Sequence, residues 1–179
     1  MHITGASGSG TTTLGRAAAT HFGISHFDSD DYFWLPTVPP FQETRPREER
    51  LALLASKLDE TDAWVLSGSN RGWGDPLIPR SSLVVFLVVP TKIRLARLRA
   101  RERAEFGAAT LPGGAMYAQF VEFLDWAAQY DDGPVTMRSR AAHEAWLARV
   151  PCPVLRLEGD RSVEENLGAL VAAATGGGN

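Results

Sequence analysis

At 179 residues, with 44% apolar and 22% charged side chains, the chain is long enough to bury a sizeable core and reads most simply as one globular domain, 1–179. A net charge of −3 and a pI near 5.8 argue against a nucleic-acid partner held by bulk electrostatics. Cys152 stands alone, so no internal disulfide can form, and no apolar run approaches the ~20 residues of a membrane span; the expectation is a soluble, cytoplasmic protein without a membrane or nucleic-acid partner.

In chain order, a short apolar strand over Met1–Thr4 runs into Gly5-Ala6-Ser7-Gly8-Ser9-Gly10-Thr11-Thr12. A helix follows from Thr11 to about Phe22, with Leu14, Ala17, Ala18 and Phe22 on one face and Gly23 closing it. The second strand, Ile24–Phe27, leads into Asp28-Ser29-Asp30-Asp31, and a proline-rich stretch then covers Trp34–Arg47. A helix over Pro46–Leu58 has its proline in the first turn, and the third strand is Trp64–Leu66. After the fourth strand, Leu83–Val89, Thr91 is the expected N-cap of an arginine-rich helix reaching about Phe106. Gly107–Gly114 is irregular, and 115–130 and 138–149 have helical spacing. A fifth strand, Val154–Leu157, precedes a helix opened by the capping box Ser162…Glu165, which is expected to fray into Gly176–Gly178. Strands alternating with helices in this way imply an α/β architecture, a parallel sheet covered on both faces.

Strand, glycine-rich loop and helix follow in the order of a phosphate-binding loop, in which main-chain amides and the positive end of the helix cradle a polyphosphate. Thr12 stands where a hydroxyl ligand to Mg²⁺ belongs, but Thr11 occupies the place of the usual lysine. Two other readings of the loop stand beside this one. One is a plain strand–helix turn. The other is the start of an NAD(P)-dependent oxidoreductase, with Asp28 contacting a ribose; against it, no tyrosine is followed four residues later by lysine, and Thr13 falls at the third glycine position. The carboxylates after the second strand lie at the end of the sheet where ligands bind, and Asp28 and Asp30 share a side if the chain stays extended. They are candidates for water-mediated Mg²⁺ binding and for a general base, with helix capping as the alternative.

The order of loop, Asp-x-Asp, Trp64-Val65-Leu66-Ser67-Gly68-Ser69 and arginine-rich helix resembles the small P-loop kinases of the nucleoside monophosphate kinase and shikimate kinase type. It is most similar to a bacterial adenylate kinase-like group with threonine in place of the loop lysine, through its Asp-Tyr-Phe-Trp-Leu-Pro segment. The resemblance implies a three-layer α/β/α fold, a five-stranded parallel sheet in the order 2-3-1-4-5, an acceptor-binding insertion at about 32–60 and a lid at about 104–137. It implies an ATP-dependent phosphotransferase using Mg²⁺, with Gly5, Ser7, Gly8, Ser9, Gly10, Thr11 and Thr12 on the donor phosphates. Thr12 and Asp30 are then the metal residues, and Asp160, in Gly159-Asp160-Arg161, belongs to the loop around the adenine. Asp28, Asp30 and Arg71 hold the acceptor, with Trp34 and Trp73 available to stack on a ring. Where such kinases carry an acidic residue after the third strand, this chain has Ser67. Arg94, Arg97 and Arg101 fall on one helix face, and Arg97, Arg101 and Arg138 are, with Asp30, the catalytic candidates, standing in for the missing lysine. Thr11 and Ser67 motivate the alternative of a non-catalytic nucleotide sensor. The four histidines receive no role, and Trp126 and Trp146 read as packing residues.

Overall fold

In the computed structural model, which describes residues 1–176, five strands form one sheet in the order β2-β3-β1-β4-β5, with every neighbouring pair parallel. The strands are β1 (His2–Gly5), β2 (Ser25–Asp28), β3 (Trp64–Ser67), β4 (Val84–Val88) and β5 (Val154–Glu158). β1 and β3 are wholly buried and β4 nearly so, because helices cover both faces; this is why they read as unbroken apolar runs rather than alternating ones. Alternate side chains divide between the faces. Ile3, Val65, Val85 and Leu87 meet Leu14 and Ala18 of α1 (Thr11–Phe22) and Leu170 of α7 (Val163–Gly176). On the other face Leu66 and Trp64 meet Leu54 and Leu58 of α3 (Arg47–Asp59), while Val84 and Phe86 meet Trp146 and Leu147 of α6 (Arg140–Leu147). Trp146 is thus a packing residue, as expected.

The expected elements form within a residue or two of their bounds, and Gly23 closes α1 in the left-handed conformation (φ 65°). The capping box of α7 forms in both directions, Ser162 N–H donating to Glu165 at 2.8 Å and Glu165 N–H to the Ser162 hydroxyl at 3.1 Å. α7 is helical through Gly176, where fraying was expected to begin, and the fraying expected at Gly177 and Gly178 lies outside the described residues. Three details differ. A short helix, α2 (Ser29–Phe33), begins directly after β2, because Asp28 Oδ1 accepts from Asp30 N–H at 3.1 Å and caps it. Gly107–Thr110 is a 3₁₀ turn rather than irregular chain. The N-cap of α4 (Thr91–Phe106) is Pro90, and Thr91 is the first helical residue. Its hydroxyl is committed sideways, donating to Asp131 and accepting from Arg94 Nη2 at 2.8 Å.

Arg94 is 0% exposed, so of the three guanidiniums expected on one face of α4 this one is withdrawn into the protein. Its Nε donates to the Val89 carbonyl (3.0 Å), Nη1 to the carbonyls of Ala127 (3.3 Å) and Ser7 (3.4 Å), and Nη2 reaches Asp131 (3.2 Å). One buried cation therefore ties β4, the glycine-rich loop, α4 and the end of α5 (Tyr117–Ala128) together.

His2 and His143 are both fully buried, and burial holds each at about 3 rather than the usual 6.5. His2 Nε2–H donates to the Gly68 carbonyl at 3.2 Å, and Tyr130 hydroxyl and His143 Nδ1 lie 2.6 Å apart. Between pH 6.5 and about 3 the unfolded chain binds protons at these rings that the folded chain refuses, so stability falls as pH falls through that window. Urea unfolding from pH 7 to pH 4 is expected to show this decline, and His143→Gln to flatten it.

Candidate functional site

The loop from Gly5 to Thr12 wraps the N-terminus of α1 at the C-terminal end of the sheet. Gly10 caps the helix at φ 94°, and Gly8 stands at φ 79° with room for nothing larger: a Cβ there would lie 2.6 Å from the Arg94 carbonyl oxygen. Inside the loop Ser9 N–H donates to Ala6 O at 3.1 Å, whereas the amides of Gly8, Gly10, Thr11 and Thr12 have no protein acceptor among the described residues. These donors, with the positive end of α1, form an anion cradle.

Beside it runs a chain of hydrogen bonds. Thr12 hydroxyl donates to Asp28 Oδ2 at 2.7 Å, Ser67 hydroxyl donates to the same oxygen at 3.2 Å, and Ser67 in turn accepts from His26 Nε2–H at 2.9 Å. Asp28 and Ser67 are register partners on β2 and β3. A carboxylate from β2 thus leans over the serine of β3. Thr12 spends its proton on Asp28 and keeps its lone pairs, so this pair could hold a hydrated Mg²⁺ on the loop, and Asp28 rather than Asp30 is the carboxylate next to the Thr12 hydroxyl.

The chain is not extended past Asp28, so the expected route by which Asp28 and Asp30 share a side does not apply. The first turn of α2 nevertheless brings both to one cleft. The Asp30 carboxylate makes no hydrogen bond among the described residues. It is exposed into that cleft but walled by protein, and desolvation, then the charge of Asp28, raises its pKa above 3.8, with Arg138 and Arg101 opposing.

The arginines separate into different settings. Arg138 Nη2 donates to the Gly5 carbonyl at 2.8 Å, at the foot of the loop, while its Nε is buried without a partner. Its guanidinium also lies 6.0 Å from the Trp126 ring centroid. Burial weakens its hold on the proton and Asp30 strengthens it. Arg71 Nη2 donates to the Met137 carbonyl at 3.1 Å. Arg101 pairs with its neighbour Glu102 at 2.5 Å. Arg97 lies outside the cleft lining, above Gly10, and pairs with Asp160 at 2.7 Å. That ion pair ties the turn after β5 to α4.

A cleft of about 690 Å³ joins these parts, with Ser7, Gly8, Thr11 and Thr12 at one end and Asp28, Asp30, Arg71, Arg101 and Arg138 along it. Trp34 lines it. Trp73 reaches it only at an edge: it is 5% exposed, packs with Leu54 and Leu77, and its indole N–H donates to Ser69 O at 3.3 Å. Trp126, expected only to pack, lines the cleft together with Phe120 and Phe123. Their spacing of three along α5 is the signal of a helix face, but a face that lines a cleft has the same period as one that packs on a core. Gln42 Nε2 donates to Gln119 Oε1 at 2.7 Å, joining the 34–47 segment to α5 over the cleft.

Residues 2–109 match a family described as "AAA domain". The chain is 46% identical to "Uncharacterized protein YqaC" of Bacillus subtilis (strain 168) over 167 residues, covering 93% of this chain and 92% of that one. Among solved structures, the shikimate kinase from Acinetobacter baumannii in complex with shikimate is similar at a TM-score of 0.58 and 16% identity, covering 99% of this chain and 93% of that one. A gluconokinase from Sinorhizobium meliloti 1021 is similar at a TM-score of 0.56 and 17% identity, covering 97% and 90%.

The two carboxylates differ in what their removal should do to the fold. Asp28→Ala strips α2 of its cap and two hydroxyls of their acceptor, and is expected to cost about 1–2 kcal/mol in urea unfolding at pH 7. Asp30→Asn removes a charge that its surroundings disfavour, and is expected to leave stability unchanged or raise it.

Proposed function

The chain belongs to the AAA-domain family and has the fold of the small P-loop kinases, and from that premise we propose that it is an ATP-dependent phosphotransferase acting on a small acceptor. The observation that carries this reading is the continuity of one cleft from the free amides of the loop to Asp30 and Arg71, with the guanidinium of Arg138 in the same lining. A plain strand–helix turn needs no such continuation, and a nucleotide sensor needs no carboxylate beyond the metal.

The triphosphate lies on Gly5, Ser7, Gly8, Ser9, Gly10, Thr11 and Thr12, and Arg97 and Asp160 position the turn beside the nucleoside. Thr12, with Asp28 behind it and Asp30 through water, would hold Mg²⁺, which neutralises charge on the phosphates when bound. The segment 32–60 contributes the acceptor side and 104–137 the lid. Arg71 orients the acceptor, and Asp30, its pKa raised, takes the proton of the attacking group. In-line transfer of this kind needs positioning and charge stabilisation more than covalent chemistry.

Arg138 supplies the cation that Thr11 does not. Its Nη2 is anchored on Gly5 and its side chain lines the cleft, so an anion arriving at the loop meets a guanidinium already held in place. Arg101 is the second cation along the cleft and is held by Glu102.

Two measurements test this. ATP with Mg²⁺ is expected to raise the melting temperature more than ATP alone, and stabilisation by NADP⁺ but by no nucleoside triphosphate would sink the reading. In single-turnover transfer, Arg138→Met is expected to slow the step by about 10²–10³, the loss of one charge-assisted donor. Thr11→Lys alone should bring no gain, because the second cation crowds a filled position; added to Arg138→Met it should restore part of the rate. A gain from Thr11→Lys in the parent chain would show that no arginine fills the place.

A further inference from the structure

The acceptor end of the cleft has a composition that neither a phosphate acceptor nor an open polyol explains. Phe33, Trp34 and Phe41 stand on one wall and Phe120, Phe123 and Trp126 on the other. The walls are held together at the mouth: Gln42 Nε2 reaches Gln119 Oε1 at 2.7 Å and Gln119 Nε2 reaches the Pro40 carbonyl at 3.4 Å, so Phe41 and Phe120, the neighbours of these bridging residues, are brought to the same opening. Phe41 holds φ 62°, a positive value shared by no other non-glycine residue among those described, and such a conformation persists where surrounding contacts enforce it.

Charge narrows the choice. The cleft is lined by four carboxylates, Asp28, Asp30, Glu102 and Glu122, against the three guanidiniums of Arg71, Arg101 and Arg138. Arg101 is paired with Glu102, and Arg138, at the foot of the loop, is taken up by the donor phosphates in the reading above. A dianionic phosphomonoester would therefore meet Arg71 alone, beside Asp30 and a bound triphosphate. Asp30 suits a hydroxyl nucleophile, whose proton needs a base. A polyol, for its part, would set some of its hydroxyls against the six aromatic rings, where they give up water for no partner of their own.

Resting on the phosphotransferase reading above, we infer that the acceptor is a neutral, phosphate-free alcohol carried on a planar aromatic or heteroaromatic ring. The ring lies between the two aromatic walls, where offset or edge-on contacts favour a flat π-system, and its hydroxyl points toward Asp30. The hydroxyl oxygen forms the new bond to the γ-phosphorus of the nucleoside triphosphate while the bond from that phosphorus to the β–γ bridging oxygen breaks. The hydroxyl proton passes to the Asp30 carboxylate, and the products are a phosphomonoester and the nucleoside diphosphate.

The experiment is a binding series on the full chain by ligand-observed NMR and tryptophan fluorescence, with ATP binding measured in parallel. Adenosine, cytidine and benzyl alcohol probe the planar-ring alcohols; AMP, gluconate and shikimate probe the competing classes, with adenosine against AMP as the matched pair. At least one planar-ring alcohol is expected to bind about tenfold or more tightly than each competitor. Phe123→Ala is expected to weaken that binding about tenfold while ATP affinity changes less than about twofold. Should Phe123→Ala fail to fold, Phe41→Ala, on an exposed segment, makes the same comparison. The inference is overturned if AMP, gluconate or shikimate binds as tightly as the best planar-ring alcohol, or if no planar-ring alcohol binds. ATP turnover with AMP or a polyol would leave the phosphotransferase reading standing and remove this inference alone. Failure to bind ATP would remove the phosphotransferase reading, whatever the ring-bearing alcohols do.

Discussion

Everything at the site is referred to one buried cation. Arg94 touches the Ser7 carbonyl from behind, and its own carbonyl closes the space a side chain at Gly8 would need. The loop is pressed against α4 by a guanidinium whose bonds run to three backbone carbonyls, one hydroxyl and one carboxylate. A charge so placed is stable only while all its partners are present; removing one partner of a buried pair typically costs about 3–5 kcal/mol. That cooperativity is what holds four amides of a flexible, glycine-rich segment open toward the cleft. Without it, a loop with three glycines would lose its shape to conformational entropy.

With the loop fixed, the chemistry is distributed in an unusual way. The acidic residue expected after β3 is a serine, and its neighbour in register on β2, Asp28, supplies the carboxylate. Adjacent strands lie about 4.8 Å apart, so a shift of one strand is a shift within reach of the same hydroxyl, Thr12. The missing lysine is handled in a comparable manner in the proposed mechanism, with a cation arriving from just before α6 rather than from the loop. Both replacements keep the charge in place while changing the element that delivers it. Asp30 is the exception: no protein donor reaches its carboxylate, and desolvation with the charge of Asp28 raises its pKa, which suits the proton acceptor of the proposed mechanism.

Much of this was legible in the chain. The parallel sheet follows from unbroken apolar runs such as Val84–Val88 set between helical patterns, and the loop from Gly5 to Thr12 announces itself by its glycines and its position between strand and helix. The candidates Asp28, Asp30, Arg71, Arg101 and Arg138 do meet in one cleft. Other features were not legible, for reasons that are physical. Arg94, Arg97 and Arg101 share one helical period, yet one is buried, one is paired across to Asp160 and one lines the cleft, because the helix turns Arg94, Leu98 and Glu102 inward and leaves Arg97 and Arg101 outside that stripe. Phe120, Phe123 and Trp126 carry a periodicity that is identical whether they face a core or a cavity.

The sequence by itself determined the alternation of strands and helices and the glycine-rich turn, because hydrophobic period, glycine placement and capping act over a few residues and are written locally; the strand order was implied by the family resemblance. Only the tertiary structure decided which charges are buried, which are paired and which remain available. Arg138 comes within 2.8 Å of the Gly5 carbonyl from 133 residues away, and Gln42 meets Gln119 across the cleft from 77 away. Burial and pairing depend on such distant partners, and no local pattern encodes the distance between them.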